Sequence, residues 1–188
     1  LHVGGFTKVN GIEQDSYMGE NLSRKGDVVF VSINHRLGPI GFSDLSGIGN
    51  KKYKDSGNVG ALDMVAALEW VKENITNFGG DLNNVTIMGQ SGGGSKVCTM
   101  AAMPAAAGLI NKAVALSGST TSAMDQEVSQ ELGEYILKEA GLKPSEIDRL
   151  QEMPWKEYIL LANKDSQKFA KENEGDGIRR GFAPVTEA

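Results

Sequence analysis

Apolar residues fall along this chain in two alternating rhythms, short unbroken runs and longer helical stripes, as far as about residue 116. The stretch from Val28 to Ile33 is an apolar run suited to a strand covered on both faces. Ala61, Val65, Leu68, Val71 and Ile75 recur at steps of four, three, three and four, the spacing of one helix face. That stripe predicts a helix over residues 59–77, with Asn58 as its N-cap and Gly79-Gly80 as its stop. Val85-Thr86-Ile87 is the β-branched centre of a short buried strand, and Lys96 to Met103 can form a helix. Ala113 to Leu116 reads as a further buried strand. Strands alternating with helices imply an α/β fold, with parallel strands joined by right-handed crossovers.

The texture changes after Ser119. Residues 126–140 predict a helix with Val128, Leu132, Tyr135 and Ile136 inward and Gly141 ending it. Short helices separated by Pro144 and Pro154 follow, then the polar stretch from Lys164 to Arg180, with no strand pattern. The expected division is a catalytic core over residues 1–122 and a helical cap or lid over 123–188 that leads back to the core.

Composition narrows the partners. A chain of 188 residues, 40% hydrophobic, can enclose a real core, and a net charge of −5 disfavours nucleic acid. No apolar run approaches the ~20 residues of a membrane span. One cysteine, Cys98, excludes an internal disulfide and leans toward a reducing, cytoplasmic compartment. No cluster of His, Cys and carboxylates has metal spacing, so neither a metal nor another cofactor is expected.

The candidate chemistry centres on Gly89-Gln90-Ser91-Gly92-Gly93, which sits between a predicted strand and a predicted helix. That order is the one a nucleophile elbow requires. The sharp turn strains the serine backbone, so its neighbours Gly89 and Gly93 must lack side chains. With 24 glycines in the chain the pattern alone is weak; its place between strand and helix gives it weight. The opening Leu1-His2-Val3-Gly4-Gly5-Phe6 looks like the His-Gly-Gly-Gly loop that lends N–H donors to an oxyanion hole, with Val3 in place of the first glycine. The competing reading is a phosphate loop, because Gly89 and Gly94 have the Walker spacing. There the lysine must precede the Ser or Thr; here Ser95-Lys96 displaces it by one position, about 100° around the helix. Blander readings also exist: Ser91 as a helix N-cap, and Gly4-Gly5 as a plain turn.

Taken together these motifs resemble the type B carboxylesterase family, the cholinesterase-like branch of the α/β-hydrolases. The resemblance runs from Leu1 to about Ser119. It includes Asn34-His35-Arg36-Leu37-Gly38, Gly57-Asn58 with Asp63 and Trp70, Phe78-Gly79-Gly80-Asp81 leading to Asn84-Val85-Thr86, and Leu116-Ser117-Gly118-Ser119. Gln90 and Gly92 depart from the family's usual Glu and Ala. The resemblance implies Ser91 as nucleophile and the N–H groups of Gly4, Gly5 and Gly92 as oxyanion donors. Gln90 flanks the nucleophile, and Ser117 is either a donor bracing the triad or an ordinary strand-end hydroxyl.

The family orders its triad as Ser, then acid, then His. The two histidines, His2 and His35, both precede Ser91, and structural roles suit them better than catalysis. Phe182-Ala183-Pro184-Val185 resembles the segment just ahead of the family's acid. The triad acid and base are therefore expected in further polypeptide of the same enzyme, with 1–188 inactive alone. Cys98 reads as a small buried hydrophobe, and the Asn21, Asn74 and Asn84 sequons as chance. The implied activity is hydrolysis of a small-molecule carboxylic ester. The alternative is a non-catalytic cholinesterase-like adhesion protein; such relatives typically lose the serine that is present here.

Overall fold

The computed structural model describes residues 2–3, 5–6, 18–49, 51–173 and 181–185. In chain order the elements are β1 (His2–Val3), α1 (Glu20–Gly26), α2 (Gly38–Phe42), α3 (Val59–Asn74), β2 (Thr86–Gln90), α4 (Gly92–Ala102), β3 (Lys112–Leu116), α5 (Gln126–Glu139), α6 (Arg149–Glu152) and α7 (Trp155–Glu172). They gather into two compact units. One holds residues 1–35 and 61–121; the other holds 36–60 and 122–188.

In the first unit the three strands form a parallel sheet in the order β1-β2-β3. Register is fixed by His2 opposite Gly89 and Val3 opposite Gln90 on one side, and by Thr86 opposite Lys112 through Gln90 opposite Leu116 on the other. Asn111 starts the β2–β3 ladder: its Oδ1 accepts from the Val85 N–H at 2.8 Å, and its own N–H donates to the Val85 carbonyl at 2.9 Å. Helix α4 packs along the strands and turns Gly93, Val97 and Met100 inward. In α3, Ala61, Val65 and Val71 of the predicted stripe are buried, as is Ile75, which opens the 3-10 turn that follows. Gly79, at φ 82°, ends that turn by donating to the Ile75 and Thr76 carbonyls.

Two expectations need correction here. The run from Val28 to Ile33 forms no strand, and Val28 and Val29 are 46% and 40% exposed. A strand needs a neighbour to pair with, and no described residue ladders with this run. β3 is a strand but not a buried one, because only β2 lies beside it among the described residues; Val114 and Leu116 are exposed. Asn58 directly precedes α3, at the end of the 3-10 turn Ser56–Asn58. Its amide reaches the backbone of Val185, accepting from the N–H at 3.0 Å and donating to the carbonyl at 3.2 Å.

The second unit is helical apart from one parallel bridge, Met124 to Val185, among its described residues. Asp125 caps α5, its carboxylate accepting from the N–H groups of Glu127 and Val128. Gly141, at φ 71°, follows the end of α5. Leu45, Tyr53, Leu137, Ile147 and Leu150 form this unit's core. Helix α7 runs from Trp155 straight through the stretch that reads as polar, as far as Glu172. Its buried side is Ala162, Asp165, Ser166, Phe169 and Ala170, so small and polar residues hide a helical stripe. Burial pushes the Asp165 carboxyl above the usual carboxylate range. No helix among the described residues is long and apolar enough to cross a membrane.

Candidate active site

Parallel strands in register end at the same edge of their sheet, and in open α/β sheets that edge is where ligands bind. Here the ends are Val3, Gln90 and Leu116, opposite one another. The residues that follow are therefore neighbours: the loop leading to Gly5, the elbow at Ser91, and the turn at Ser117-Gly118.

Ser91 has φ 57° and ψ −124°, a conformation an L-residue holds only when its surroundings impose it. Those surroundings are identifiable. The Ser91 N–H donates to the Leu116 carbonyl at 2.8 Å, and its own carbonyl accepts from Gly94 at 2.9 Å and Ser95 at 3.2 Å. A Cβ at Gly89 would stand 2.2 Å from the Gly93 carbonyl oxygen, so that glycine is a steric requirement. A Cβ at Gly118 would stand 1.6 Å from the Ser91 carbonyl oxygen. The strand on one side and the glycine turn on the other thus clamp the elbow and leave the serine exposed.

Gly92 begins α4, so its N–H has no acceptor within the helix, and it lies half-buried beside the nucleophile. Gly5 is exposed, with nothing among the described residues within 4 Å of where its Cβ would be. Gly4 lies outside the described residues. Gln90 holds the centre of the sheet edge through its backbone and exposes its side chain. Ser117 is exposed at φ 51° directly after β3. Ser95 cannot compete as nucleophile without first breaking its hydroxyl bond to the Gly118 carbonyl, 2.6 Å long.

His2 enters the sheet through its backbone, opposite Gly89, while His35 is buried and Cys98 half-buried. Among the described residues no three His, Cys, Asp or Glu side chains are grouped to hold a metal ion.

Two residues here were given no part in the site by the sequence reading. Gly118 is one; it stood there only within the Leu116-Ser117-Gly118-Ser119 motif. The other is Lys96, buried at 2% exposure on the inward side of α4. Its Nζ donates to the Gly5 carbonyl at 2.9 Å and stands 5.2 Å from the centre of the Phe6 ring. Desolvation lowers its pKa from 10.5 to about 7. A lysine on the apolar side of a helix, in step with Gly93, Val97 and Met100, is a signal that spacing alone could have raised.

The geometry agrees with known proteins. A model of the carboxylesterase family matches residues 1–187. The para-nitrobenzyl esterase of Bacillus subtilis is 40% identical over 164 residues, 87% of this chain and 32% of that enzyme. Phenmedipham hydrolase of Pseudarthrobacter oxydans is 33% identical over 159 residues, 85% of this chain and 30% of that protein. A solved thermophilic para-nitrobenzyl esterase superposes on the whole chain with a TM-score of 0.87 at 36% identity, covering 37% of that structure. The chain spans about a third of the length of the curated relatives it matches. These likenesses identify the α/β-hydrolase fold, and the chain belongs to the carboxylesterase family.

Proposed function

We propose that this chain carries the nucleophile and oxyanion hole of a serine carboxylic-ester hydrolase acting on small-molecule esters. The observation that carries the reading is the strained Ser91 backbone, held exposed between β2 and α4 by Leu116, Gly89, Gly93 and Gly118. A helix N-cap needs no such strain, and Ser91 makes no side-chain capping bond. In the proposed reaction the Ser91 hydroxyl oxygen bonds to the ester carbonyl carbon while its proton passes to a base. The carbonyl π electrons move onto oxygen, where N–H groups of Gly92, Gly5 and Gly4 hold the charge. Collapse expels the alcohol, which takes a proton, and leaves an acyl-enzyme that water hydrolyses.

The imidazole and carboxylate of the triad come, on this reading, from polypeptide outside residues 1–188. Residues 1–122 then serve as part of the catalytic core and 123–188 as a cap-like region. A non-catalytic binding role is disfavoured by the intact serine and its elbow. In the full-length protein, Ser91→Ala should lower kcat for a short-chain activated ester by about 10³-fold or more. Full activity in that variant would end the esterase reading.

A further inference from the structure

Lys96 is the one charged side chain, among the described residues, lining a cavity of about 110 Å³ in the first unit. The walls are otherwise almost wholly apolar, with Val31, Ile33, Met64, Val71, Met88 and Met100 among them. An ammonium in such a place loses its hydration, so a lysine is retained there only if its tip does something water cannot. Among its contacts are two on one loop: the Gly5 carbonyl at 2.9 Å and the Phe6 ring at 5.2 Å. That loop follows β1 and stands at the sheet edge beside the elbow, and α4, which carries Lys96, starts at the residue after Ser91.

The consequence follows from peptide geometry. The Gly5 carbonyl and the Phe6 N–H share one rigid plane, so holding the oxygen also fixes the direction of that N–H. Gly5 itself is the freest kind of residue and is exposed, with no neighbour among the described residues within 4 Å of a Cβ position. Without an anchor on its carbonyl, the two backbone torsions of Gly5 would turn freely and carry its own N–H, in the adjoining peptide plane, through many directions. The cation over the Phe6 ring adds a second hold on the same turn.

We propose that Lys96 is a positioning residue: it ties the Gly5 carbonyl to the elbow helix and so keeps the loop's N–H groups aimed at the oxyanion. This rests on the ester-hydrolase reading of Ser91. The side chain acts through the loop and touches no reacting atom. A direct role as base to Ser91 fits poorly, because five residues at 100° each carry Lys96 about 140° around the helix from Ser91. Its lowered pKa is consistent with a buried amine that donates to the carbonyl in either protonation state.

The test compares Lys96→Met and Lys96→Arg with wild type in the full-length protein, using one activated ester and one trifluoromethyl ketone. The ketone adds the serine to form an anionic hemiketal, so its affinity reports the oxyanion hole. Lys96→Met should lower kcat by about 10- to 100-fold with KM little changed, and weaken the ketone by a similar factor. Melting temperature should hold or rise, since a charge leaves an apolar cavity. Lys96→Arg, which keeps a cation and a donor, should recover most of kcat. Hydrogen exchange at Gly5 and Phe6 should speed up in Lys96→Met, a readout independent of catalysis. Unchanged exchange would overturn the tether itself. Faster exchange with kcat and ketone affinity intact would overturn its link to the oxyanion. A wild type that neither turns over ester nor binds ketone, yet shows the exchange difference, would instead refute the esterase reading while leaving the tether standing.

Discussion

At the scale of single residues, two glycines at the same sheet edge do opposite jobs, and substitution separates them. Gly118 is a steric necessity: its missing Cβ makes room for the Ser91 carbonyl, which would otherwise be 1.6 Å away. Gly118→Ala must therefore displace the elbow, lowering melting temperature and kcat together. Gly5 has open space around it among the described residues, so Gly5→Val should cost the fold little. What the new side chain crowds is the approach of the substrate oxygen, and kcat should fall by about 100-fold with the melting temperature nearly unchanged. Thermal melts and steady-state kinetics on both variants check the contrast. If Gly5→Val leaves kcat intact, the loop after β1 is only a turn.

At the scale of elements, α4 carries an electrostatic cost that pH should reveal. Lys96 has a folded pKa of about 7 against 10.5 for a solvated lysine, with burial as the cause. Between those values the unfolded chain holds a proton that the folded chain lacks, so stability rises as pH rises from about 7 toward 10.5. Below about 7 both states are protonated and the full penalty remains. The slope contributed is at most about 1.4 kcal/mol per pH unit. Among the residues lining the cavity no other side chain titrates in this range, so Lys96→Met should flatten the profile of melting temperature against pH. An unchanged profile would mean that this lysine is solvated. The same element shows what a sequence can and cannot reveal. Ser91, its flanking glycines and the presence of the strand before them were legible, because a strained turn demands particular residues at fixed offsets; the burial expected of that strand is not seen, with Thr86 exposed and Ile87 half-buried. The α3 stripe was legible for the same reason, since burial repeats with the helical period. Val28 to Ile33 misled, because apolar composition does not fix a ladder, and among the described residues none is formed with this run. The Asn58 bonds to Val185 were not legible, because a partner 127 residues away leaves no local pattern. Helix α7 was obscured by Asp165 and Ser166 on its buried side. Lys96 and Gly118 were missed because their importance lies in contacts across the chain, with Gly5 and Ser91 respectively.

At the scale of the whole molecule, the described parts divide the work. The first unit supplies a three-stranded parallel sheet, and its edge gathers Gly5, Ser91, Gly92 and Gly118; the second is a helical body with its own core. Chemistry at Ser91 also needs a base and an acid, which the proposed function draws from polypeptide outside these residues. The central claim is that Ser91, and no other hydroxyl, is the nucleophile of the assembled enzyme. A fluorophosphonate bonds covalently to an activated serine, losing fluoride, and so marks the nucleophile directly. After treatment of the full-length protein, peptide mass spectrometry should find one adduct, on Ser91, formed in step with loss of ester hydrolysis. An adduct on Ser95 or Ser117, or loss of activity with Ser91 unmodified, would contradict the claim.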